Sequence, residues 1–378
     1  MRSAVAAVSS SCANLPPSTR EQGFDIWVSL LAKRGSMHVE EAPHGYEPGN
    51  ILVTGAAGFI GSHVAAHLVY HHPGSTVVGL DKLDYCASTD NLREAALSRN
   101  FVLVRGDQAS SDLLLYVLRT HAIDTVINLA AQTHVDASFH ATLQEAVRTT
   151  GTVRRFLHVS TDQVYEPTPP EKEHGHSEAA RLQPINPYAA SKAGAEMLVL
   201  AYGTAYHLPV VIVRSSFLMG LQLIPKYLMR ALAGQPLPIH GRASDYARSF
   251  LYVEDAVAAL ATVLARGEEG EVYNCAGTER TVAQVAQDVR ALVRMASGSS
   301  TAVDIQTVEN RPFDDGSYRI DDRKLRQLGW RPRVSWWDGL RSSLAWYRDH
   351  GRQHWGNIAH VLGASHETEP PALQPPAS

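Results

Sequence analysis

From residue 50 onward, short apolar runs alternate with longer amphipathic stretches. The runs Asn50–Thr54, Thr76–Leu80, Phe101–Val104, Thr125–Ala131, Phe156–Ser160 and Val210–Arg214 are rich in Val, Ile and Leu. Such runs suit strands covered on both faces, as in a parallel sheet. Between them, Ser62 to about His71, Leu113–Leu118 and a stretch opening at Asn186 carry helical patterns. The alternation predicts an α/β fold with a doubly wound parallel sheet. After Phe217 the pattern shifts to shorter helices and loops, with Ser249–Val253 and a strand at Val272–Asn274. Residues 216–350 are therefore expected to form mainly a smaller C-terminal lobe interleaved with the sheet. Residues 1–49 and 351–378 fall outside the pattern. The first holds one short amphipathic candidate, Phe24–Leu31, before Pro43 and Pro48-Gly49, and the second ends in proline pairs; both are expected to be disordered.

The first strand leads straight into Gly55-Ala56-Ala57-Gly58-Phe59-Ile60-Gly61 and a helix, and the second strand ends at Asp81. Gly55 permits a tight turn, Gly58 lets backbone approach a pyrophosphate, and Gly61 allows helix and sheet to pack closely, with the helix N-terminus toward phosphate. An acid ending the second strand can accept from a ribose diol and would repel a 2′-phosphate, which favours NAD over NADP. Residues 50–215 thus read as a Rossmann-type NAD-binding domain. Phe59, Ile60, Lys82, Gln108 and Leu129 flank the same path, Asp107 lies where an adenine would rest, and Ala130 and Ala131 are small where a cofactor must pass.

Composition narrows the classes. The chain of 378 residues is 44% hydrophobic and 19% charged with a formal net charge of −4, so it has no basic field to collect nucleic acid or an anionic membrane. No apolar run reaches the roughly 18 residues needed to cross a bilayer. Cys12, Cys86 and Cys275 are odd in number and far apart, against a disulfide framework or a zinc site, and His71-His72 and His174-Gly175-His176 complete no metal-ligand set. The cysteine usage fits a reducing, cytoplasmic compartment, while the Ala/Ser-rich Met1–Arg20 segment leaves organellar targeting open.

The candidate chemistry lies in two stretches. Ser160-Thr161-Asp162-Gln163 ends a strand, where sites of such sheets gather. Downstream, Asn186 as cap and Pro187 in the first turn open a helix carrying Tyr188 and Lys192 four apart, on one face. An ammonium one turn from a phenol favours the phenolate, so the spacing predicts an activated tyrosine. Arg248 and Arg311 are candidates for clamping a diphosphate, since a guanidinium fork suits phosphate oxygens.

Taken together, Thr54–Gly61, Leu80–Tyr85, Leu129–Asp136, Val159–Asp162, Tyr188 with Lys192, Ser249–Asp255, Asn310-Arg311-Pro312 and Leu328–Pro332 resemble the extended short-chain dehydrogenase/reductases, and within them the dTDP-glucose 4,6-dehydratases. The resemblance spans about residues 50–350. It implies a nucleotide-sugar substrate, with Tyr188 taking the C4 hydroxyl proton while hydride moves to NAD, Lys192 tuning Tyr188, and Thr161 holding the same hydroxyl. Asp162 would protonate the departing C6 hydroxyl, and Thr133, Thr161, Lys226, Arg248 and Arg311 would touch substrate. Three departures stand out. The family's base, a glutamate after the acid, is Gln163 here, and an amide cannot accept the C5 proton. Phe217 takes the place of an asparagine. The helix before Val159 is shortened to Thr142–Thr149, about 12 Å, which weakens the implied homodimer. Alternatives are a non-catalytic NAD-binding descendant and a nucleotide-sugar 4-epimerase, which needs no C5 base.

Overall fold

The computed structural model describes residues 45–84, 87–130, 137–169, 174–220, 222–241, 245–297, 303–309 and 316–354. The N-terminal candidate helix and the C-terminal tail lie outside them. The first half of the fold is a repeating strand–helix series: β1 (Ile51–Thr54), α1 (Phe59–His71), β2 (Val77–Asp81), α2 (Arg93–Ala96), β3 (Phe101–Arg105), α3 (Ser111–Thr120), β4 (Thr125–Asn128), α4 (Ala137–Thr150) and β5 (Arg155–Thr161). Then come α5 (Pro187–Tyr206), β6 (Val210–Ser215) and β7 (Phe217–Leu218). The remaining elements are α6 (Leu223–Leu232), β8 (Leu237–His240), β9 (Ala247–Leu251), α7 (Val253–Arg266), β10 (Val272–Cys275), β11 (Thr278–Thr281), α8 (Val282–Ser297), β12 (Ile305–Val308), α9 (Arg323–Gln327) and α10 (Trp336–His354).

Seven strands form one sheet in the order β10-β6-β5-β4-β1-β2-β3, every neighbour parallel. The order reverses between β1 and β4, where Thr54 pairs with Asn128, and at such a switch point the carboxyl ends of the strands open a crevice. The apolar runs are strands because both faces are covered: β1, β2, β4 and β5 are buried at every position. One core, with Val53, Leu157, Val213 and Leu260, packs α1 and α7 on one face; another, with Leu52, Val126, Phe156 and Val199, packs α3, α4 and α5 on the other. A third core, around Ile224, Leu228, Phe250, Val289 and Trp336, is built by α6, α8, α10 and β9.

Two boundaries differ from the sequence reading. The helix α1 begins at Phe59, not Ser62, because Gly58 already serves as its extended N-cap. The helix α4 spans 14 residues, about 21 Å, rather than the eight expected, since Ala137 onward already continues its turns.

Candidate active site

The glycine loop is shaped by backbone crowding. Gly55 adopts φ +68°, and a Cβ there would lie 2.9 Å from the Ala130 backbone. A Cβ on Gly61 would sit 2.1 Å from the Gly55 carbonyl oxygen, so only glycine lets α1 come this close to β1. Gly58 offers no side-chain cap to α1, which leaves the first-turn N–H groups directed out of the helix, as an anion site requires. Asp81 closes the loop from the next strand: Ala57 N–H donates to its Oδ2 at 2.9 Å and Leu83 N–H to its Oδ1 at 2.8 Å. Beneath, Thr54 donates to Asn128 at 2.7 Å and accepts from Ala130 N–H at 3.2 Å, and this pins the end of β4 against the loop.

Farther along the crevice, Asp107 accepts from Ala109 N–H at 2.9 Å and so shapes the turn after β3. Gln108 is buried with its Oε1 unpartnered, an acceptor of the kind an adenine amino group would satisfy. Lys82 is partly exposed and pairs with Asp84 at 2.8 Å. Phe59 leans over Gly220, where a Cβ would strike its ring, while Ile60 lines a small apolar hollow with Val159, Ser215, Leu218 and Cys275. Leu129 is half-buried beside Ala130. The path from glycine loop to β3 therefore fits a dinucleotide. Ala131, Thr133 and Arg311 lie outside the described residues.

The reacting end forms where β5 runs out. Thr161 caps a single 3₁₀ turn, Asp162–Val164. Its hydroxyl donates to Asp162 Oδ1 at 3.3 Å and accepts from Gln163 N–H at 3.4 Å. Asp162 is 1% exposed and its Oδ2 has no partner among the described residues. Burial pushes its pKa up to about 7, against the pull of the Arg248 cation and the Thr161 hydroxyl. Arg248, on β9, lies between the rings of Phe217 and Tyr318, 5.3 Å from each. Phe217 thus gives the guanidinium an aromatic face.

The helix α5 brings the second set. Asn186 accepts from Ala189 N–H at 2.8 Å as its cap, and Asn186 Nδ2 donates to Gln163 Oε1 at 3.2 Å, which joins the two stretches. Tyr188 is 38% exposed as a residue, yet its hydroxyl end is held by a hydrogen bond with Thr161; burial and the Asp162 carboxylate raise its pKa. Lys192 is buried and turned inward, its Nζ donating to the Val159 carbonyl at 2.8 Å. Burial brings its pKa down to about 8, against the attraction of Glu196.

Spacing places Tyr188 and Lys192 on neighbouring turns, and the structure turns Lys192 inward to the Val159 carbonyl while the Tyr188 hydroxyl meets Thr161. Lys226, in the first turn of α6, is half-buried. Sequence reasoning passed over Glu196, Arg214, Tyr165 and Asn274, a buried network behind α5, although Glu196 follows Lys192 at the same four-residue interval as Lys192 follows Tyr188.

The GDP-mannose 4,6 dehydratase family model matches residues 52–343, which cover nearly all of the seven-stranded sheet and the third core. The chain belongs to this dehydratase family. Its relatives include the trifunctional UDP-glucose 4,6-dehydratase/UDP-4-keto-6-deoxy-D-glucose 3,5-epimerase/UDP-4-keto-L-rhamnose-reductase of Arabidopsis thaliana, 47% identical over 84% of this chain and 50% of that protein. The chain thus spans about half the length of the plant relatives it matches. The dTDP-D-glucose 4,6-dehydratase of Mus musculus is 37% identical over 90% of this chain and 98% of the relative. Among solved structures, the dTDP-glucose 4,6-dehydratase of Bacillus anthracis in complex with NAD superposes with a TM-score of 0.73 at 29% identity, covering 81% and 98% of the two chains. Membership accounts for the α/β architecture and the NAD expectation. Among the described residues no helix is long and apolar enough to cross a membrane, and no group of three His, Cys, Asp or Glu could hold a metal ion.

Proposed function

We propose that this chain is an NAD-dependent nucleotide-sugar 4,6-dehydratase acting on a nucleoside-diphosphate glucose. Bound NAD would supply a hydride acceptor that later returns the hydride to the sugar. Gly55, Gly58, Gly61 and Asp81 would hold it, with Gln108 toward the adenine. Tyr188, hydrogen-bonded with Thr161, takes the proton of the C4 hydroxyl as that carbon is oxidised. Asp162 donates a proton to the departing C6 hydroxyl, and Arg248 faces the charged part of the substrate. The two candidate nucleotides are uridine and thymidine. The higher identity of the UDP-glucose relatives favours UDP-glucose over the dTDP-glucose expected from motifs.

One observation carries the reading: a fully buried carboxyl with a pKa of about 7 beside Thr161 and Tyr188. An acid kept protonated near neutrality is what a leaving hydroxyl needs, whereas C4 epimerisation has no use for it. Gln163 opposes the reading in part. Its amide is buried against Asn186 and cannot accept the C5 proton. The reading extends to a homodimer resident in the cytoplasm. The test is incubation with UDP-glucose and dTDP-glucose in deuterated water, products identified by mass and NMR. Loss of water with deuterium at C5 is expected. A C4 epimer, or unchanged sugar with NAD bound, would overturn the dehydratase assignment.

A further inference from the structure

Gln163 cannot take a proton, yet the fold holds it with care at the reacting end. It is the middle residue of the 3₁₀ turn Asp162–Val164, two residues past the Thr161 hydroxyl that meets Tyr188. The turn is fastened on both sides. Tyr165 N–H donates to the Asp162 carbonyl at 3.2 Å, Gln183 N–H donates to the Val164 carbonyl at 2.9 Å, and Val164 and Tyr165 are wholly buried. With the backbone fixed, the open question at Gln163 is which way its side-chain amide faces.

Asn186 settles it. As the cap of α5 it must give an acceptor to Ala189 N–H, 2.8 Å away, so its oxygen stands on that side. Its Nδ2 is then the atom toward Gln163, and an amide nitrogen that can only donate has to meet an oxygen there, 3.2 Å away. Gln163 therefore gives Oε1 to Asn186 and turns Nε2 the other way. That nitrogen has no partner among the described residues. Unlike Asp162 Oδ2 it is not sealed from its surroundings, and the residue keeps 9% of its surface open. A donor pair left without a protein acceptor in so buried a place is satisfied by an acceptor on whatever binds beside it. The oxygens of a sugar are such acceptors.

We propose that Gln163 is a specificity-determining residue that donates a hydrogen bond from Nε2 to an oxygen of the sugar, and that Asn186 is the positioning residue that aims it. The proposal rests on the nucleotide-sugar reading for its ligand, but its first test needs no sugar. Full-length protein labelled with ¹⁵N at glutamine side chains is followed by NMR, with the Gln163 amide assigned by its absence in Gln163→Met. Asn186→Asp keeps a good helix cap and puts a second acceptor toward Gln163, so the amide is expected to turn over, and exchange of its protons with water to slow. Unchanged exchange in Asn186→Asp overturns the orientation. The second test is calorimetric binding of UDP-glucose and of UDP to the NADH-loaded chain, in which the sugar cannot be oxidised, repeated with dTDP-glucose and dTDP. Gln163→Met keeps the shape without the donor and is expected to weaken binding of the sugar nucleotide about three- to tenfold, the usual worth of one hydrogen bond, while the free nucleotide binds as before. Gln163→Glu exchanges the donor for an acceptor and is expected to weaken sugar-nucleotide binding at least as much, even where it speeds loss of the C5 proton. Unaltered sugar-nucleotide binding in Gln163→Met, or an equal loss for the free nucleotide, overturns the donor role. Because exchange is read without sugar and binding without turnover, failure of the dehydratase assay is a separate outcome.

Discussion

The two ends of the crevice are built by different means. At the glycine loop the work is done by backbone: Gly55 turns with positive φ, Gly61 lets a helix touch a carbonyl, and Asp81 fastens the loop through two N–H groups. At the end of β5 it is done by buried side chains whose charge is set by surroundings, with Asp162 pushed up to about 7 and Lys192 brought down to about 8. A backbone site tolerates almost no added atom but is indifferent to its neighbours' charges. A side-chain site accepts an isosteric change of atoms but loses function when one charge or one proton acceptor is altered. On the proposed reading Gln163 is such an alteration, one that leaves the turn intact while removing a base.

The largest effects therefore belong to the β5 end. Gln163→Glu is expected to raise dehydration by about 10²–10⁴, the usual worth of a general base, measured as C5 deuterium incorporation. An unchanged rate would show that another group takes that proton. Tyr188→Phe is expected to lower turnover by a comparable factor while NAD binding, followed by fluorescence, stays within about twofold. Loss of binding as well would mean that the phenol serves the cofactor rather than the sugar.

The contrast also governs what the sequence could disclose. The glycine spacing, the strand before it and the acid closing β2 are local patterns with a steric cause, so the first parallel strands and the glycine turn were legible from residues 50–128. The rhythm of apolar runs likewise disclosed β1 through β6. The state of Tyr188 was not legible, because four-residue spacing places two Cβ atoms on neighbouring turns but does not say where the side chains go. Lys192 folds inward to the Val159 carbonyl, and Thr161, far upstream on β5, takes its place beside the phenol. Arg248 illustrates the same limit. Its aromatic bracket joins Phe217 on β7 to Tyr318 in the loop before α9, a meeting that only the tertiary fold brings about. Phe217 reads in the sequence as the loss of an asparagine, and in the fold it is a surface for a cation.

At the glycine end the expected effect is intermediate. In Gly61→Ala the new Cβ meets the Gly55 carbonyl, which is backbone and has no rotamer to yield. Thermal and denaturant unfolding should show a loss of about 1–3 kcal/mol, with NAD affinity falling in step. The same change at Gly194 on α5, where a Cβ would meet nothing within 4 Å, is the matched control. Helix propensity alone would make both changes stabilising, so a Gly61→Ala chain as stable as Gly194→Ala would mean that crowding does not decide.

A last effect, read as a slope with pH rather than as a single loss, tests whether charge rules the β5 end even when nothing reacts. Asp162 ionises near its ordinary value of 3.8 when the chain is unfolded, but only at about 7 when folded. Between these values folding takes up a proton, so this residue's contribution to stability is fully present below about pH 4 and declines as pH rises through 7. The amide introduced by Asp162→Asn cannot titrate. Relative to the parent, Asp162→Asn should thus gain melting temperature from pH 4 to 7 and hold a constant difference above, a slope of no more than about 2–4 °C per pH unit for a domain of this size. Melting curves at half-unit intervals measure it. Parallel curves across the window would show that Asp162 stays ionised in the fold, and the proton it is meant to deliver to the leaving hydroxyl would then have to come from elsewhere.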